Sequence, residues 1–451
     1  MNRTPKVFLT VLILVFCTAF SVFAQDGAHN AYSPYSVYGL GNILKEGNAY
    51  TRTMGGVGIA TRNRRFINYT NPAAVTARDT LSFMADFGLQ ENNQVYRQNI
   101  EGPEGTVPLK SANNTFNISD FVISFPMWRS SAFMVGIAPF SEVGYDFSSV
   151  EKSDIIGVTD NISYQSYGQG GIYQLFFGAG ATFWKRLSIG VEGIYYFGTI
   201  DKVTNTIFSD GSYRSINAGY EAQIRTITGK FGIQYEQRLK DNVRMIIGAT
   251  YRPKTAMKGS MTDYCYAVSS EMADTLRGRA GDEVLLKNTG MSFGDEIGVG
   301  ISFKGGEQWS VEFDYLRSDW RQSKMDQTNG FSVFNASGPL FTSSVYNSFR
   351  LGFEYVPNRN DIRYYHKKMS YRGGIYHERE SFKVNGNVVS CSGITLGISL
   401  PILRLYNGLS IGLDFGQRGS LKSSDMVRER YATIMVGFNL HDIWFQKMRY
   451  K

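Results

Sequence analysis

The sequence has little cysteine and little proline, and beyond its first 24 residues it has no long apolar run. It contains 3 cysteines and 11 prolines among 451 residues. A membrane-spanning helix needs about 20 consecutive apolar residues, and no later stretch supplies them. The four histidines, at positions 29, 366, 377 and 441, show no metal-ligand spacing. These absences argue against a bundle of membrane helices, a disulfide-rich scaffold and a metal site.

The N-terminus predicts a secretory signal. A basic start is followed by the apolar run "VFLTVLILVFCTAF" and then by small residues before Gln25. We expect cleavage after Ala24, and residues 1–24 take no part in the fold. Lipidation at Cys17 is the weaker alternative, because Phe16 is too bulky for the position before a lipidated cysteine.

The exported chain is then either soluble or a membrane β-barrel, and its composition favours the barrel. Tyrosine (28), phenylalanine (31) and glycine (48) are abundant, and the mean hydropathy is slightly negative. Strands with one lipid-facing and one wet side have this composition. Loss of Arg3 and Lys6 with the signal lowers the formal charge from +8 to +6. That charge suits anionic lipid headgroups better than nucleic acid, although ordinary solubility charge is an equal alternative.

Strict alternation of apolar and polar residues predicts how the strands are used. In "WSVEFDY" (309–315) the aromatic and aliphatic residues share one face, and Ser310, Glu312 and Asp314 share the other. The stretches "SFRLGFEY" (348–355) and "LSIGLDFG" (409–416) repeat the pattern. A charged face cannot form the inside of a two-sheet sandwich, but it suits the lumen of a barrel in lipid.

The number and spacing of these segments predict an all-β fold, a 14-stranded antiparallel transmembrane β-barrel. Most connections after even-numbered segments are short, whereas most of those after odd-numbered segments are long. Outer-membrane barrels have short periplasmic turns, so we expect both chain termini in the periplasm; 357–368 is long for such a turn. The segments centre near residues 85, 120, 139, 177, 193, 228, 250, 296, 313, 350, 375, 396, 413 and 435. The predicted long loops are 91–112, 148–167, 201–218, 258–287 and 318–343.

Two cysteines, Cys265 and Cys391, fall in or beside predicted outer loops. Two alternatives stay open for them, a disulfide bond or two unpaired thiols.

The segment before the first strand predicts a plug. Its stretch "TRTMGGVGIATRNRRFINYTNPAAV" (51–75) is too broken by glycine for a stable helix and too polar for a membrane span. A barrel of 14 strands is wide enough to need filling. We therefore divide the chain into a hatch or plug at 25–78, a barrel at 79–440 and a periplasmic tail at 441–451.

"MGGVGIA" (54–60) and "NPAAV" (71–75), between a signal peptide and the first strand, resemble the hatch of the FadL/OMPP1/TodX family. "SFRLGFEYVP" (348–357) and "GITLGISLP" (393–401) resemble the same family, and "SPYSVYGLGN" (33–42) resembles its branch found in Bacteroidetes. The resemblance implies a 14-stranded outer-membrane barrel with a hatch, which transports long-chain fatty acids and other hydrophobic compounds. The hatch-motif residues it identifies are Met54, Gly55, Gly56, Gly58, Asn71, Pro72 and Ala73.

Three arginines before the Asn-Pro-Ala motif, Arg62, Arg64 and Arg65, depart from the family pattern. We expect them to form ion pairs with carboxylates on the lumen face and so to hold the plug. Both a plug that moves when cargo arrives and a fixed plug agree with this arrangement. The predicted carboxylates are Glu192, Glu312, Asp314, Glu354 and Asp414.

The third strand, "FMVGIAPFSEVGYDF" (133–147), contains Pro139 well inside it. A proline in mid-wall removes a ladder hydrogen bond. A harmless bulge is one interpretation. In the resembled family a kink in the third strand is the lateral gate, which implies that Pro139, Phe140, Ser141 and Glu142 line a gate here.

The sequence favours a transporter over an enzyme. "GMSFG" (290–294) resembles a nucleophile elbow, but no helix follows it. A lipid-modifying enzyme would need a serine–histidine pair that the sequence does not place. We predict no cofactor and no catalytic site.

The leading hypothesis is passive uptake of a hydrophobic or amphipathic small molecule that first contacts aromatic residues of the outer loops. Those residues are Tyr264, Tyr266, Phe331, Phe334 and Phe341, for which simple loop packing is the alternative.

The alternative function is a plugged structural or accessory barrel in an outer-membrane secretion or assembly complex. An arginine-rich hatch and a charged lumen suit a barrel that docks protein partners. The aromatic and basic tail, with Trp444, Phe445, Lys447 and Arg449, suits the same role.

Overall fold

A computed structural model describes the chain in eleven stretches, and the predicted signal and most of the predicted tail lie outside them. These stretches are 32–78, 82–102, 105–128, 130–152, 161–208, 214–240, 242–268, 284–335, 338–402, 408–422 and 426–443.

Fourteen long antiparallel strands form a closed barrel, as the sequence predicts. Each strand pairs with its neighbours in chain order, and the last pairs with the first, from Ser82 opposite Ile443 to Arg97 opposite Arg428. The final strand continues three residues beyond the predicted end of the barrel at 440. The strands are β1 (Ser82–Gly102), β2 (Gly105–Trp128), β3 (Ser131–Lys152), β4 (Asn161–Phe183), β5 (Leu187–Phe208), β6 (Ser215–Lys240), β7 (Val243–Arg252), β8 (Asp295–Gly305), β9 (Trp309–Asp319), β10 (Val345–Tyr355), β11 (Ser370–Val384), β12 (Asn387–Pro401), β13 (Gly408–Arg418) and β14 (Arg428–Ile443).

Short elements complete the described chain, and none of its helices is long and apolar enough to cross a membrane. The N-terminal segment contains a 3₁₀ helix (Pro34–Val37), a two-residue strand (Asn42–Ile43), one α-helical turn (Ala49–Arg52) and a second 3₁₀ helix (Pro72–Thr76). Elsewhere there are helical turns at Leu286–Thr289 and Tyr365–Lys367, and short strands at Thr255–Ala256, Gly259–Val268, Val284–Leu285, Ser292–Phe293, Phe334–Asn335, Gly338–Pro339 and Phe341–Ser343.

Three of the predicted long loops are largely strand. β1 and β2 stay paired until Gly102 lies opposite Gly105, so the predicted loop 91–112 is wrong. β3 and β4 likewise extend through much of 148–167, and β5 and β6 through much of 201–218. Polar residues lie on both faces of these hairpins, so the strict alternation that identifies strands is missing. The hydrogen bonds between the strands continue there, because strands in water do not need an apolar face.

The two faces of the wall divide as the alternation predicts. On β10 the outward Leu351 is 42% exposed, whereas the neighbouring inward Arg350 is 5% exposed. On β9 the inward Ser310, Glu312 and Asp314 are buried. An outer surface of aliphatic and aromatic side chains is matched to lipid, and a polar lumen is what a barrel in lipid encloses.

One junction of the wall is incomplete. β2 and β3 pair only between Phe121–Trp128 and Ser131–Ile137. Beyond that point β2 stays paired with β1, and β3 stays paired with β4. The described residues therefore contain a seam between 105–120 of β2 and 138–152 of β3, and the free backbone edge of β3 lies along it.

A charge on the lipid face should destabilise the barrel, whereas the same charge beyond the membrane should not. We expect Leu351→Arg to lower the free energy of unfolding by about 2–4 kcal/mol, because arginine at mid-membrane depth is poorly solvated. Val388→Arg is the control, since Val388 is also exposed but lies beside the turn that joins β11 and β12. Equilibrium urea unfolding in phospholipid vesicles measures both. Equal losses in the two variants would mean that β10 does not face lipid.

Candidate functional site in the lumen

The N-terminal segment, residues 33–78, contacts inward-facing groups on many strands. The backbone amides of Gly58 and Ile59 donate hydrogen bonds of 2.7 and 2.9 Å to the Asp314 carboxylate on β9. The Gly55 amide donates to the Thr395 hydroxyl on β12 at 2.8 Å. Contacts with opposite parts of the wall place the segment inside the barrel.

The Asn-Pro-Ala motif starts the second 3₁₀ helix. The Asn71 side chain accepts a 3.0 Å hydrogen bond from the Ala73 amide, which caps the helix, and it donates a 2.7 Å bond to the Ile59 carbonyl. Glycines of the wall let this helix approach the strands. A methyl group added at Gly190 on β5 would lie 2.3 Å from the Ala73 nitrogen, and one at Gly232 would lie 2.1 Å from Asn71. The motif therefore docks where the wall has no side chains.

The predicted ion pairs between the three arginines and five lumen carboxylates need correction. Arg62 lies 3.6 Å from Glu236, and Arg65 lies 3.0 Å from Glu307. Both carboxylates are near the short-turn end of the barrel. Of the five predicted carboxylates, Glu354 lines the cavity at that end together with the arginines, whereas Asp314 and Asp414 contact other parts of the segment.

Four of the five predicted carboxylates contact the segment by other means. Glu354 accepts a 2.8 Å hydrogen bond from the Tyr50 hydroxyl, and Glu312 accepts one from the Thr61 hydroxyl. Asp314 binds backbone amides as described above, and Asp414 lies 3.8 Å from Lys45. The fifth, Glu192, is buried opposite Lys230 in the β5–β6 ladder. The lumen acids thus hold the segment chiefly through its amides and hydroxyls.

Sequence reasoning missed two charged residues of the segment, Lys45 and Glu46. The Glu46 carboxylate lies 2.5 Å from the ammonium of Lys230, which is buried on β6. Lys45 lies 3.7 Å from Glu378 on β11, and its ammonium is 3.0 Å from the centre of the Tyr376 ring. The stretch "LKEG" gave no signal, because adjacent opposite charges are usual on any polar surface.

The beginning of the segment covers the free edge of β3. Asn42–Ile43 pair antiparallel with Ser141–Glu142. The Ser33 amide donates a 2.8 Å hydrogen bond to the Gly144 carbonyl, and the Leu44 amide donates a 2.9 Å bond to the Phe140 carbonyl. The segment therefore supplies part of the strand pairing that β2 does not provide.

Close packing at this edge depends on one glycine. Gly41 adopts a φ of +88°, and a methyl group there would lie 2.5 Å from the Glu142 carbonyl oxygen. The Ser36 hydroxyl adds a 2.9 Å hydrogen bond to the Gly144 carbonyl. In the sequence the stretch 33–42 showed only a family resemblance. In the structure Ser33, Ser36 and Gly41 of this stretch contact the edge of β3.

The structure brings the four predicted gate residues to the seam. The β3–β4 register shifts between Pro139 and Ser141, so Phe140 is bulged. The Phe140 ring turns inward and lies 4.6 Å from the Tyr196 ring. Glu142 accepts a 3.3 Å hydrogen bond from Asn117 of β2, across the seam.

A central cavity of about 160 Å³ lies between the segment and the wall. Its lining contains as many cations as carboxylates, together with Phe140 and Trp320. The charges of the described lining residues are therefore balanced. The charged lining residues are Lys45, Arg52, Lys230, Arg252, Arg350, Arg418, Glu46, Glu296, Glu378, Glu380, Asp414 and Glu429.

A second cavity, of about 490 Å³, opens at the short-turn end and is strongly basic. Arg62 and Arg78 of the segment line it, and burial lowers the pKa of both guanidinium groups, that of Arg78 to about 10. Arg64 is exposed there. We call this space the basic cavity.

The remaining predicted residues do not form a site. Cys265 is exposed and Cys391 is buried, and both are free thiols. Phe331 and Phe341 are buried, and Phe341 stacks on Tyr38 of the segment. The tail residues from Trp444 onward lie outside the described residues. No group of three or more histidine, cysteine or acidic residues in the described stretches could hold a metal ion.

The sequence profile of the BamG family matches residues 6–451. The chain belongs to the BamG family. No curated protein matches this BamG-family chain.

Solved structures share its fold at low sequence identity. The toluene transporter TbuX of Ralstonia pickettii superposes with a TM-score of 0.54 at 17% identity, over 88% of this chain and 98% of that one. A FadL homologue of Pseudomonas aeruginosa gives 0.53 at 11% identity, over 89% and 99%. The toluene transporter TodX of P. putida gives 0.54 at 14% identity, over 90% and 100%. The predicted FadL/TodX resemblance is confirmed for the fold, and the Bacteroidetes branch stays a prediction.

Removing the Asp314 carboxylate should loosen the segment. We expect Asp314→Ala to cost about 2–4 kcal/mol, because it leaves the buried amides of Gly58 and Ile59 without an acceptor. Asp314→Asn keeps one acceptor oxygen and should cost less. Hydrogen exchange of residues 55–62, with urea unfolding in vesicles, measures both effects. Unchanged exchange in the alanine variant would show that Asp314 does not anchor the segment.

Two glycines of β5 offer a matched pair. Gly190→Ala should cost about 1–3 kcal/mol, because its methyl group meets the backbone at Ala73 and overpacks the interface. Gly193→Ala should change stability by less than about 0.5 kcal/mol, since a methyl group there meets nothing within 4 Å. Trypsin cleavage at residues 62–65 reports release of the segment. Equal cleavage rates would contradict docking against β5.

Proposed function

We propose that the protein is an outer-membrane barrel that the N-terminal segment closes as a fixed plug, and that it serves as a structural or docking subunit of an outer-membrane complex. The observation that carries the proposal is the pairing of residues 33–44 with the free edge of β3. Because residues 33–44 pair with the backbone of β3, the segment takes part in the hydrogen bonding of the wall. Its displacement would expose the backbone edge from Phe140 to Gly144.

The lumen supports closure. Pockets for small molecules are mostly apolar and measure about 300–1,000 Å³. The central cavity is smaller, about 160 Å³, and twelve charged side chains line it beside apolar ones such as Phe140, Leu316 and Trp320. An apolar cargo placed there would strip water from those charges at a high cost in free energy.

The proposed orientation is supported by the lengths of the turns. Outer-membrane barrels keep short turns on the periplasmic side. In this orientation the segment enters from the periplasm, both ends of the barrel chain lie there, and the basic cavity opens toward periplasmic proteins. No enzyme activity and no cofactor enter the proposal.

A second candidate function is passive transport of a hydrophobic small molecule with lateral exit. The seam between β2 and β3 favours it, with Pro139, Phe140, Ser141 and Glu142 on its edge. Some barrels of this fold are toluene transporters by description. Here the plug would have to leave the β3 edge for cargo to pass.

A disulfide lock separates the two functions. Asn42 and Glu142 are paired across the seam, so Asn42→Cys with Glu142→Cys, in a Cys265→Ser/Cys391→Ser background, can fix the segment to β3. We expect the oxidised variant to support the same complex and to show the same uptake of radiolabelled oleate and toluene as the reduced one. Each single-cysteine variant is the control. Uptake that disappears on oxidation and returns on reduction would establish transport with a moving plug.

Native mass spectrometry of the protein, extracted from its own membrane in mild detergent, tests the docking role directly. We expect a stoichiometric protein partner and no retained apolar small molecule. A retained apolar ligand without a protein partner would favour transport instead.

A further inference from the structure

Among the described residues that line it, the basic cavity carries more positive than negative charge. Nine cationic side chains stand against three carboxylates, Glu236, Glu307 and Glu354. Six positive charges in excess are thus concentrated at one mouth of the barrel. The cationic residues are Arg62, Arg64, Arg65, Arg78, Lys185, Arg238, Arg244, Lys304 and Arg359.

Two of the three carboxylates, Glu236 and Glu307, already have cationic partners. Glu236 lies 3.6 Å from Arg62 and 3.2 Å from Arg244. Glu307 lies 3.0 Å from Arg65 and 3.8 Å from Arg359. Each of these two carboxylates is thus shared by two guanidinium groups. The positive charge of the cavity still exceeds its negative charge, so further anions can bind.

The shape of the cavity favours a chain of anions over a single one. Its cationic residues come from the segment, from the ends of strands and from separate turns, including Lys185 between β4 and β5 and Arg359 between β10 and β11. The volume of about 490 Å³ is large for one inorganic anion. Guanidinium groups spread over such a space match several carboxylates, because each planar fork can bind one of them through two hydrogen bonds.

The position of the basic cavity excludes lipid headgroups as its ligand and favours a protein. The cavity lies within the ring of turns, so the barrel wall separates it from the surrounding bilayer. The long turn 357–368 stands beside it, held by a 3.4 Å hydrogen bond from Arg359 to the Glu307 carbonyl. That turn presents Ile362 at 97% exposure, an apolar contact that a polypeptide can use and an inorganic anion cannot.

We infer that the basic cavity binds an acidic polypeptide segment, rich in aspartate and glutamate, of a periplasmic partner protein. The inference rests on the proposed function, because it names the chemistry of the docked partner. The carboxylates of the partner would pair with Arg238 and Lys185 at the mouth, and its backbone would pass over the turn 357–368.

The test uses the full-length mature protein in nanodiscs of phosphatidylcholine and a fluorescent oligoglutamate of about eight residues. We expect fluorescence anisotropy to show binding that weakens strongly when salt is raised from about 50 mM to about 500 mM, because screening reduces attraction between charges. An oligoglutamine of equal length should not bind. Equal binding of the two peptides would overturn the inference.

Charge reversal locates the binding. Lys185→Glu with Arg238→Glu should weaken oligoglutamate binding at least tenfold, since both residues line the cavity and neither pairs with the segment among the contacts described. Arg214→Glu with Lys258→Glu, at the long-loop end, makes the same change in net charge and should leave binding within about twofold. Equal loss in both variants would assign the binding to general attraction by a basic protein, against the inference.

Competition identifies the chemistry. We expect pyrophosphate to displace oligoglutamate only at much higher concentration. Displacement at an equal concentration of charge would make the cavity a small-anion site and overturn the polypeptide inference.

If oligoglutamate does not bind while native mass spectrometry shows a stoichiometric partner, the docking function stands and only the proposed binding site is wrong. If oligoglutamate binds while the disulfide lock abolishes uptake, the site stands and the docking function is lost.

Discussion

Every backbone amide and carbonyl in a wall within lipid must find its partner inside the protein. Among the described residues, strand pairing meets that demand along the wall except at the seam between β2 and β3. Residues 33–44, which precede the barrel strands, supply part of the missing pairing at the edge of β3. The path of the N-terminal segment through the lumen is tied to this gap in the wall.

Once the segment is tied to β3, the rest of the lumen is arranged around it. Glycines of the wall, such as Gly190 and Gly232, make space for the Asn-Pro-Ala helix. Buried acids accept hydrogen bonds from the segment's amides and hydroxyls. These groups are costly to bury unless they are paired, so the same contacts that satisfy them also hold the segment against the wall.

The fold was predictable from sequence because a wall between lipid and water imposes a period of two residues on every strand. "WSVEFDY" and "SFRLGFEY" show that period without interruption, and the structure confirms their faces. Where strands leave the membrane the constraint disappears, and the hairpin around Gly102 and Gly105 was therefore mistaken for a loop.

The site was less predictable, because contacts between the segment and the wall have no sequence period. The predicted acids are indeed lumen residues, but their partners could not be assigned without the path of the segment. Arg62 meets Glu236, and Lys45 meets Glu378, only because of that path. Backbone donors such as the Gly58 amide leave no trace in the sequence at all.

The hydrogen bond between the Ser33 hydroxyl and Glu429, at 2.9 Å, joins residues 396 positions apart. Residues at the start of the N-terminal segment thus contact β14, the last strand of the barrel. Contacts between residues so remote in sequence slow folding. Ser33 also donates its amide to Gly144 of β3, so full packing of the segment requires β3 and β14 together. The lumen therefore reaches its final packing only when strands from both ends of the barrel sequence are in place.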